Sequence, residues 1–150
     1  MDKTASKLAL GSANFGIDYG LVNDAGKISK TELVKILSVS ERVGVEIIDT
    51  AQAYGDSEMR IGALCSDGRF KIITKIGVGL EKDYKTKSVH GLVKQSCRRL
   101  NQSRLYAVML HRPEVLLGDN GNLIIKELLA LKEQNIISKI GVSVYSPEIL

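Results

Sequence analysis

Features of membrane, secreted and metal-binding proteins are missing from this sequence. No apolar stretch approaches the roughly 20 residues of a membrane-spanning helix. No apolar run follows the first charged residues, as one would in a signal peptide. The two cysteines, Cys65 and Cys97, lack the spacing of metal ligands. We therefore expect a cytoplasmic protein with no metal, no membrane contact and reduced thiols.

The sequence also has no block of like charge. Its 21 Lys and Arg residues alternate with 17 Asp and Glu residues, so the net charge of +4 is spread over a mixed surface. This distribution argues against a nucleic-acid partner. No linker, low-complexity segment or Pro-rich break divides the 150 residues, and a single domain is expected.

Short apolar runs rich in β-branched residues recur at nearly regular intervals. Most are apolar at consecutive positions, which is typical of strands covered on both faces in a parallel sheet. The predicted strands are residues 7–13, 45–51, 70–76, 106–110 and 139–145.

Amphipathic segments with helix start signals lie between these runs. Ser29 and Glu32 form a capping box, Ser88 and Asn122 are the expected N-caps of two later helices, and residues 57–64 supply a shorter helix. The alternation predicts an α/β fold with right-handed crossovers between parallel strands. An open doubly wound sheet and part of a barrel both fit, because one sequence does not show strand order.

Residues suited to proton transfer follow the second, third and fourth predicted strands. Ligands of parallel α/β folds bind at the carboxyl ends of strands, and these ends carry Asp49, Tyr54, Lys75 and His111. A carbonyl that receives a hydride needs an acid for the developing alkoxide, and a tyrosine beside a cation supplies one. Lys75 is that cation, and Asp49 is its carboxylate partner. His111 can hydrogen-bond the substrate oxygen or relay a proton.

The segment from Asp49 to Gly55 resembles the Asp-Thr-Ala-x-x-Tyr-Gly signature of aldo-keto reductases. Four further segments are similar to the family's first strand with its glycine-rich loop, its lysine strand, its histidine strand and its fifth strand: residues 8–16, 73–75, 109–113 and 140–143. The resemblance implies a (β/α)8 TIM barrel. The chain would cover its first four β/α units plus the fifth strand.

The resemblance also implies an NADPH-dependent enzyme that reduces a small aldehyde or ketone to an alcohol. It makes Asp49, Tyr54, Lys75 and His111 the catalytic residues, with Tyr54 as general acid. Asp49 and Ser143 would bind the cofactor, the serine through the nicotinamide carboxamide. The family often has asparagine where Val144 stands. We therefore expect that the nicotinamide carboxamide receives fewer hydrogen bonds here, or that another group of the protein contacts it.

The resemblance stops before the family's last three strands. Ser146, Pro147 and Glu148 have the pattern of a helix start, and the sequence ends there, so a truncated polypeptide is expected. The edges of an open barrel carry unpaired backbone groups, which would favour self-association. Two other functions stay open: a cofactor-binding or regulatory module without catalysis, and an inactive fragment of the enzyme.

Overall fold

A computed structural model of the chain describes residues 7–20, 26–77, 80 and 88–146, and a parallel sheet lies at its centre. The strands are β1 (Ala9–Gly11), β2 (Ile47–Asp49), β3 (Lys71–Ile76), β4 (Leu105–Leu110) and β5 (Ile137–Val142). Each pairs in parallel with the next one in sequence, giving the order β1-β2-β3-β4-β5. This sequential order is that of a barrel wall and excludes the doubly wound alternative.

Helices connect the strands. They are α1 (Ala13–Gly16), α2 (Lys30–Arg42), α3 (Ser57–Leu64), α4 (Val89–Leu100), a 3-10 helix (Pro113–Leu116) and α5 (Gly121–Glu133). Two predicted N-caps are confirmed: the Ser29 hydroxyl accepts the Glu32 amide at 3.1 Å, and the Ser88 hydroxyl accepts the Gly91 amide at 3.0 Å. No helix within the described ranges is long and apolar enough to cross a membrane.

The start of α5 differs from the prediction. Asn120 is the N-cap residue in place of Asn122, because the Ile124 amide already bonds to the Asn120 carbonyl at 3.0 Å. Gly121, the first helical residue, packs against the carbonyl of Leu116, where a Cβ would lie 2.0 Å from the oxygen. Tight packing against the 3-10 helix therefore accompanies this start, and a capping pattern cannot reveal such packing.

The strand bounds also differ from the prediction. β1 and β2 have only three residues each. After β1 the Ser12 amide still bonds to the Asp49 carbonyl at 3.0 Å, and the chain then turns into α1, which the sequence did not predict. β5 begins two residues before its predicted start, because Ile137 already pairs with Leu105. Two residues of the predicted C-terminal helix start, Pro147 and Glu148, lie outside the described residues.

One face of the sheet is buried under the helices. Ile48 pairs with Ile72, Thr74 with Val108, and Ile76 with Leu110, and each of these side chains is at most 3% exposed. Apolar residues of the helices complete this core: Leu33, Leu37, Ile61, Val93, Ile124 and Leu128. Because side chains alternate along a strand, Asp49 and Lys75 belong to the opposite face, near the carboxyl ends of their strands.

Candidate active site

Asp49 and Lys75 form an ion pair on the face away from the helices. The Lys75 Nζ lies 2.6 Å from Oδ1 and 2.5 Å from Oδ2 of Asp49, and 3.4 Å from the Thr50 carbonyl oxygen. The register pairs Asp49 with Ile73, so Lys75 stands two residues further along on the same face. Its side chain is 9% exposed, against 34% for Asp49. The carboxylate thus offsets the charge of a largely buried ammonium group.

Tyr54 and His111 extend this pair into a continuous set of contacts. The Lys75 Nζ lies 5.4 Å from the centroid of the Tyr54 ring, close enough for a cation–π interaction. The Tyr54 and His111 ring centroids are 6.1 Å apart, with the planes nearly perpendicular at 86°. The four side chains predicted from the sequence therefore converge on one region, although they come from three strand ends and one loop.

His111 follows β4 directly, and its amide continues the β3–β4 pairing by bonding to the Ile76 carbonyl at 2.8 Å. Burial lowers the pKa of this imidazole below its usual value of 6.5, and the charges of Lys75 and Arg112 lower it further. A neutral imidazole at neutral pH donates one hydrogen bond and accepts another. Within the described part of the chain, its buried Nδ1 has no hydrogen-bond partner.

Ser143 is placed beside His111 by the next strand. Its amide bonds to the Leu110 carbonyl at 2.9 Å, just beyond the end of β5. His111 and Ser143 line a common cavity of about 470 Å³, together with Arg112 and Tyr145. The structure thus brings the fifth predicted site residue to the same edge of the sheet as the other four.

A second cavity, of about 270 Å³, lies at the Asp49 and Tyr54 end of the site. Asn14 and Tyr19 also line it, from the segment that follows β1. Sequence reasoning did not select these two residues. The available signal was the position of the glycine-rich loop after β1, because every loop at the carboxyl end of a barrel strand borders the ligand region.

Comparison with known proteins identifies the family of this chain. A model of the aldo/keto reductase family matches residues 7–150. The chain belongs to this family. A curated relative, D-arabinose 1-dehydrogenase of Saccharomyces cerevisiae (strain ATCC 204508 / S288c), is 30% identical over 151 residues, which cover 95% of this chain and 44% of the relative.

Solved structures of the family share the fold. A Pseudomonas aeruginosa protein assigned as an aldo-keto reductase has a TM-score of 0.74 and 28% identity, covering 95% of this chain and 57% of its own. The aldo-keto reductase of Klebsiella pneumoniae in complex with NADPH has a TM-score of 0.73 and 21% identity, covering 96% and 47%. The chain therefore spans about half the length of these relatives, and the neighbouring folds are TIM barrels.

Proposed function

We propose that this protein is an oxidoreductase that reduces an aldehyde or ketone with NADPH, and that Tyr54 supplies the proton. The observation that carries the proposal is the unbroken set of contacts from Asp49 through Lys75 and Tyr54 to His111. Family membership and the NADPH-bound relative from Klebsiella pneumoniae support the reaction class and the cofactor.

The contacts support a proposed role for each of the four side chains. The Tyr54 hydroxyl protonates the substrate oxygen as negative charge develops on it. The Lys75 ammonium, held by Asp49, stabilises the phenolate that remains. His111, in its neutral form, donates a hydrogen bond to the same substrate oxygen and helps to fix the direction of the carbonyl.

The cofactor suits the residues around the site. When bound, NADPH supplies the hydride for the carbonyl carbon. The cavity beside His111 has a volume in the usual range for small ligands, and the orphaned Nδ1 of His111 is a polar atom that a ligand group can satisfy. Ser143 would bind the carboxamide of the nicotinamide, and Asp49 would be a second residue that contacts the cofactor.

The substrate is a small carbonyl compound. The curated yeast relative is named as a dehydrogenase of D-arabinose, so D-arabinose with NADP⁺ tests the reaction in the oxidising direction, next to simple aldehydes with NADPH in the reducing direction. The free thiols of Cys65 and Cys97 support a reducing, cytoplasmic setting.

The test compares Tyr54→Phe with the parent in the full-length protein. We expect kcat for aldehyde reduction to fall by about 10² to 10⁴, while NADPH binding followed by nicotinamide fluorescence is retained. Tyr106→Phe is the matched control, because the Tyr106 ring also lies near lysine ammonium groups. Its centroid is 5.8 Å from Lys71 Nζ and 5.0 Å from Lys139 Nζ, but these contacts lie at the amino ends of the strands, away from the candidate site. Equal rates for all three proteins would refute the assignment. Binding of NADPH without turnover by the parent would favour a non-catalytic module.

A further inference from the structure

Three buried hydroxyl groups meet behind the candidate active site. This hydroxyl cluster consists of Ser12, Thr50 and Ser57, each 0% exposed. The Ser57 Oγ lies 3.0 Å from both the Ser12 carbonyl oxygen and the Ser12 Oγ, either of which can accept its proton, and 3.1 Å from Thr50 Oγ1. A serine hydroxyl has one proton and two lone pairs, so Ser57 is the shared partner of the other two residues.

The cluster closes the loop that carries Tyr54. Thr50 follows Asp49 at the end of β2, and Ser57 begins α3, so their side-chain contact joins the two ends of the segment 50–57. Ser12 ties this closed segment to the end of β1. Inside it, the Tyr54 amide bonds to the Ala51 carbonyl and the Ser57 amide to the Tyr54 carbonyl, both at 3.0 Å. The tyrosine backbone is therefore held on both sides.

A backbone contact between two glycines holds the same segment from the other direction. A Cβ on Gly16 would lie 1.7 Å from the Tyr54 carbonyl oxygen, and one on Gly55 would lie 2.4 Å from the Gly16 carbonyl oxygen. Gly55 also has a φ angle of +56°, a backbone conformation that residues other than glycine rarely adopt. The segment after β1 thus touches the backbone on which Tyr54 stands, with no room between them.

We propose that Ser57, acting through the hydroxyl cluster, is a positioning residue that sets the distance of Tyr54 from Lys75 and from the substrate oxygen. This role rests on the proposed function of Tyr54. Ser57 itself touches no reacting atom. Its loss would leave the Ser12 and Thr50 hydroxyls short of a partner in a site closed to water, and the loop would have to shift to satisfy them. Small displacements of a catalytic group reduce rates strongly.

The first experiment compares Ser57→Ala with Ser40→Ala in the full-length protein. Ser40 is also a buried serine, at 9% exposure, but lies on α2 away from the site. We expect kcat to fall by about 10- to 100-fold in Ser57→Ala with KM changed less than about twofold, and neither to change in Ser40→Ala. A purely structural role would lower the melting temperature without this split between kcat and KM. Equal kcat in the two variants would overturn the proposal.

A second pair separates hydrogen bonding from packing. Thr50→Val keeps the shape of the side chain and removes the hydroxyl, whereas Thr50→Ser keeps the hydroxyl and removes a methyl group. We expect Thr50→Val to lose kcat as Ser57→Ala does, and Thr50→Ser to recover most of that loss. The opposite order would show that packing sets the rate and would contradict a positioning role for the hydroxyl cluster.

A spectroscopic readout keeps this test apart from the proposed reaction. In protein labelled with ¹³C at the tyrosine ζ position, the Tyr54 signal is the one that Tyr54→Phe removes. We expect Ser57→Ala to shift or broaden this signal and Ser40→Ala to leave it in place. An unchanged signal in Ser57→Ala would refute the positioning role even if no carbonyl compound is reduced, whereas absence of turnover with a shifted signal would refute only the proposed function.

Discussion

Replacing Asp49 with Asn tests the ion pair on which the site is built. The change removes the negative charge beside Lys75 Nζ, whose distances to the two carboxylate oxygens are 2.6 and 2.5 Å. The side chain keeps its size and one oxygen. The Lys75 side chain is only 9% exposed, so the ammonium group cannot recover full hydration where it stands.

The loss in the free energy of unfolding that Asp49→Asn should cause can be estimated from the burial of Asp49 and Lys75. Removing one partner of a fully buried ion pair costs about 3–5 kcal/mol. The Asp49 side chain is 34% exposed, and water therefore screens the pair in part. We expect the free energy of unfolding to fall by about 2 kcal/mol, a change of about 30-fold in the folding equilibrium.

Urea unfolding at neutral pH measures this loss, with Glu46→Gln as matched control. Glu46 pairs with Lys71 at 2.7 Å, at the other end of the same two strands, but both side chains are about half exposed. That pair should contribute little, because exposed ion pairs are weak. Activity should fall in Asp49→Asn and persist in Glu46→Gln. Equal losses of stability would refute the claim that Lys75 depends on Asp49 for its buried position.

Two further predictions concern pH and assembly. Because the pKa of His111 is lowered, the unfolded chain binds more protons than the folded chain below about pH 6.5, and the free energy of unfolding should decrease as the pH falls through that value. His111→Gln should lose less stability than the parent between about pH 7 and about pH 5.5 in urea unfolding, and equal losses would contradict the lowered pKa. Separately, β1 and β5 are each paired on one side only within the described residues, and Leu8 is 70% and Ile140 37% exposed near them. The 150-residue chain should therefore self-associate as its concentration rises, and a single monomeric species in sedimentation velocity at all concentrations would count against this.

The order of the elements and the strand ends that carry the candidate site could be predicted from the sequence. Runs of consecutive apolar residues predict buried parallel strands. Asp49, Lys75 and His111 lie at the carboxyl ends of such runs, and this position can be recognised in the local sequence without knowing the fold. The structure bears out that these side chains lie together. Their catalytic roles stay a proposal, since proximity alone does not show which group transfers a proton.

Other features depend on contacts between segments far apart in the sequence. The start of α5 at Gly121 accompanies its close approach to Leu116. The shared hydroxyl cluster joins Ser12 to Ser57 across 45 positions, and no periodicity in either segment marks it. Ser12 and Thr50 lie near the ends of two predicted strands and Ser57 starts a predicted helix, and no local pattern shows that the fold buries their hydroxyl groups together.

Transfer of a labelled hydride tests the central claim most directly. The full-length protein would be incubated with an aldehyde and NADPH that carries deuterium at the transferred position of the nicotinamide, and the alcohol analysed by mass spectrometry. The account predicts deuterium on the carbinol carbon of the alcohol formed by the parent and by Tyr106→Phe. It predicts a much smaller amount of alcohol from Tyr54→Phe. Alcohol without the label, or labelled alcohol formed equally fast without the Tyr54 hydroxyl, would contradict it.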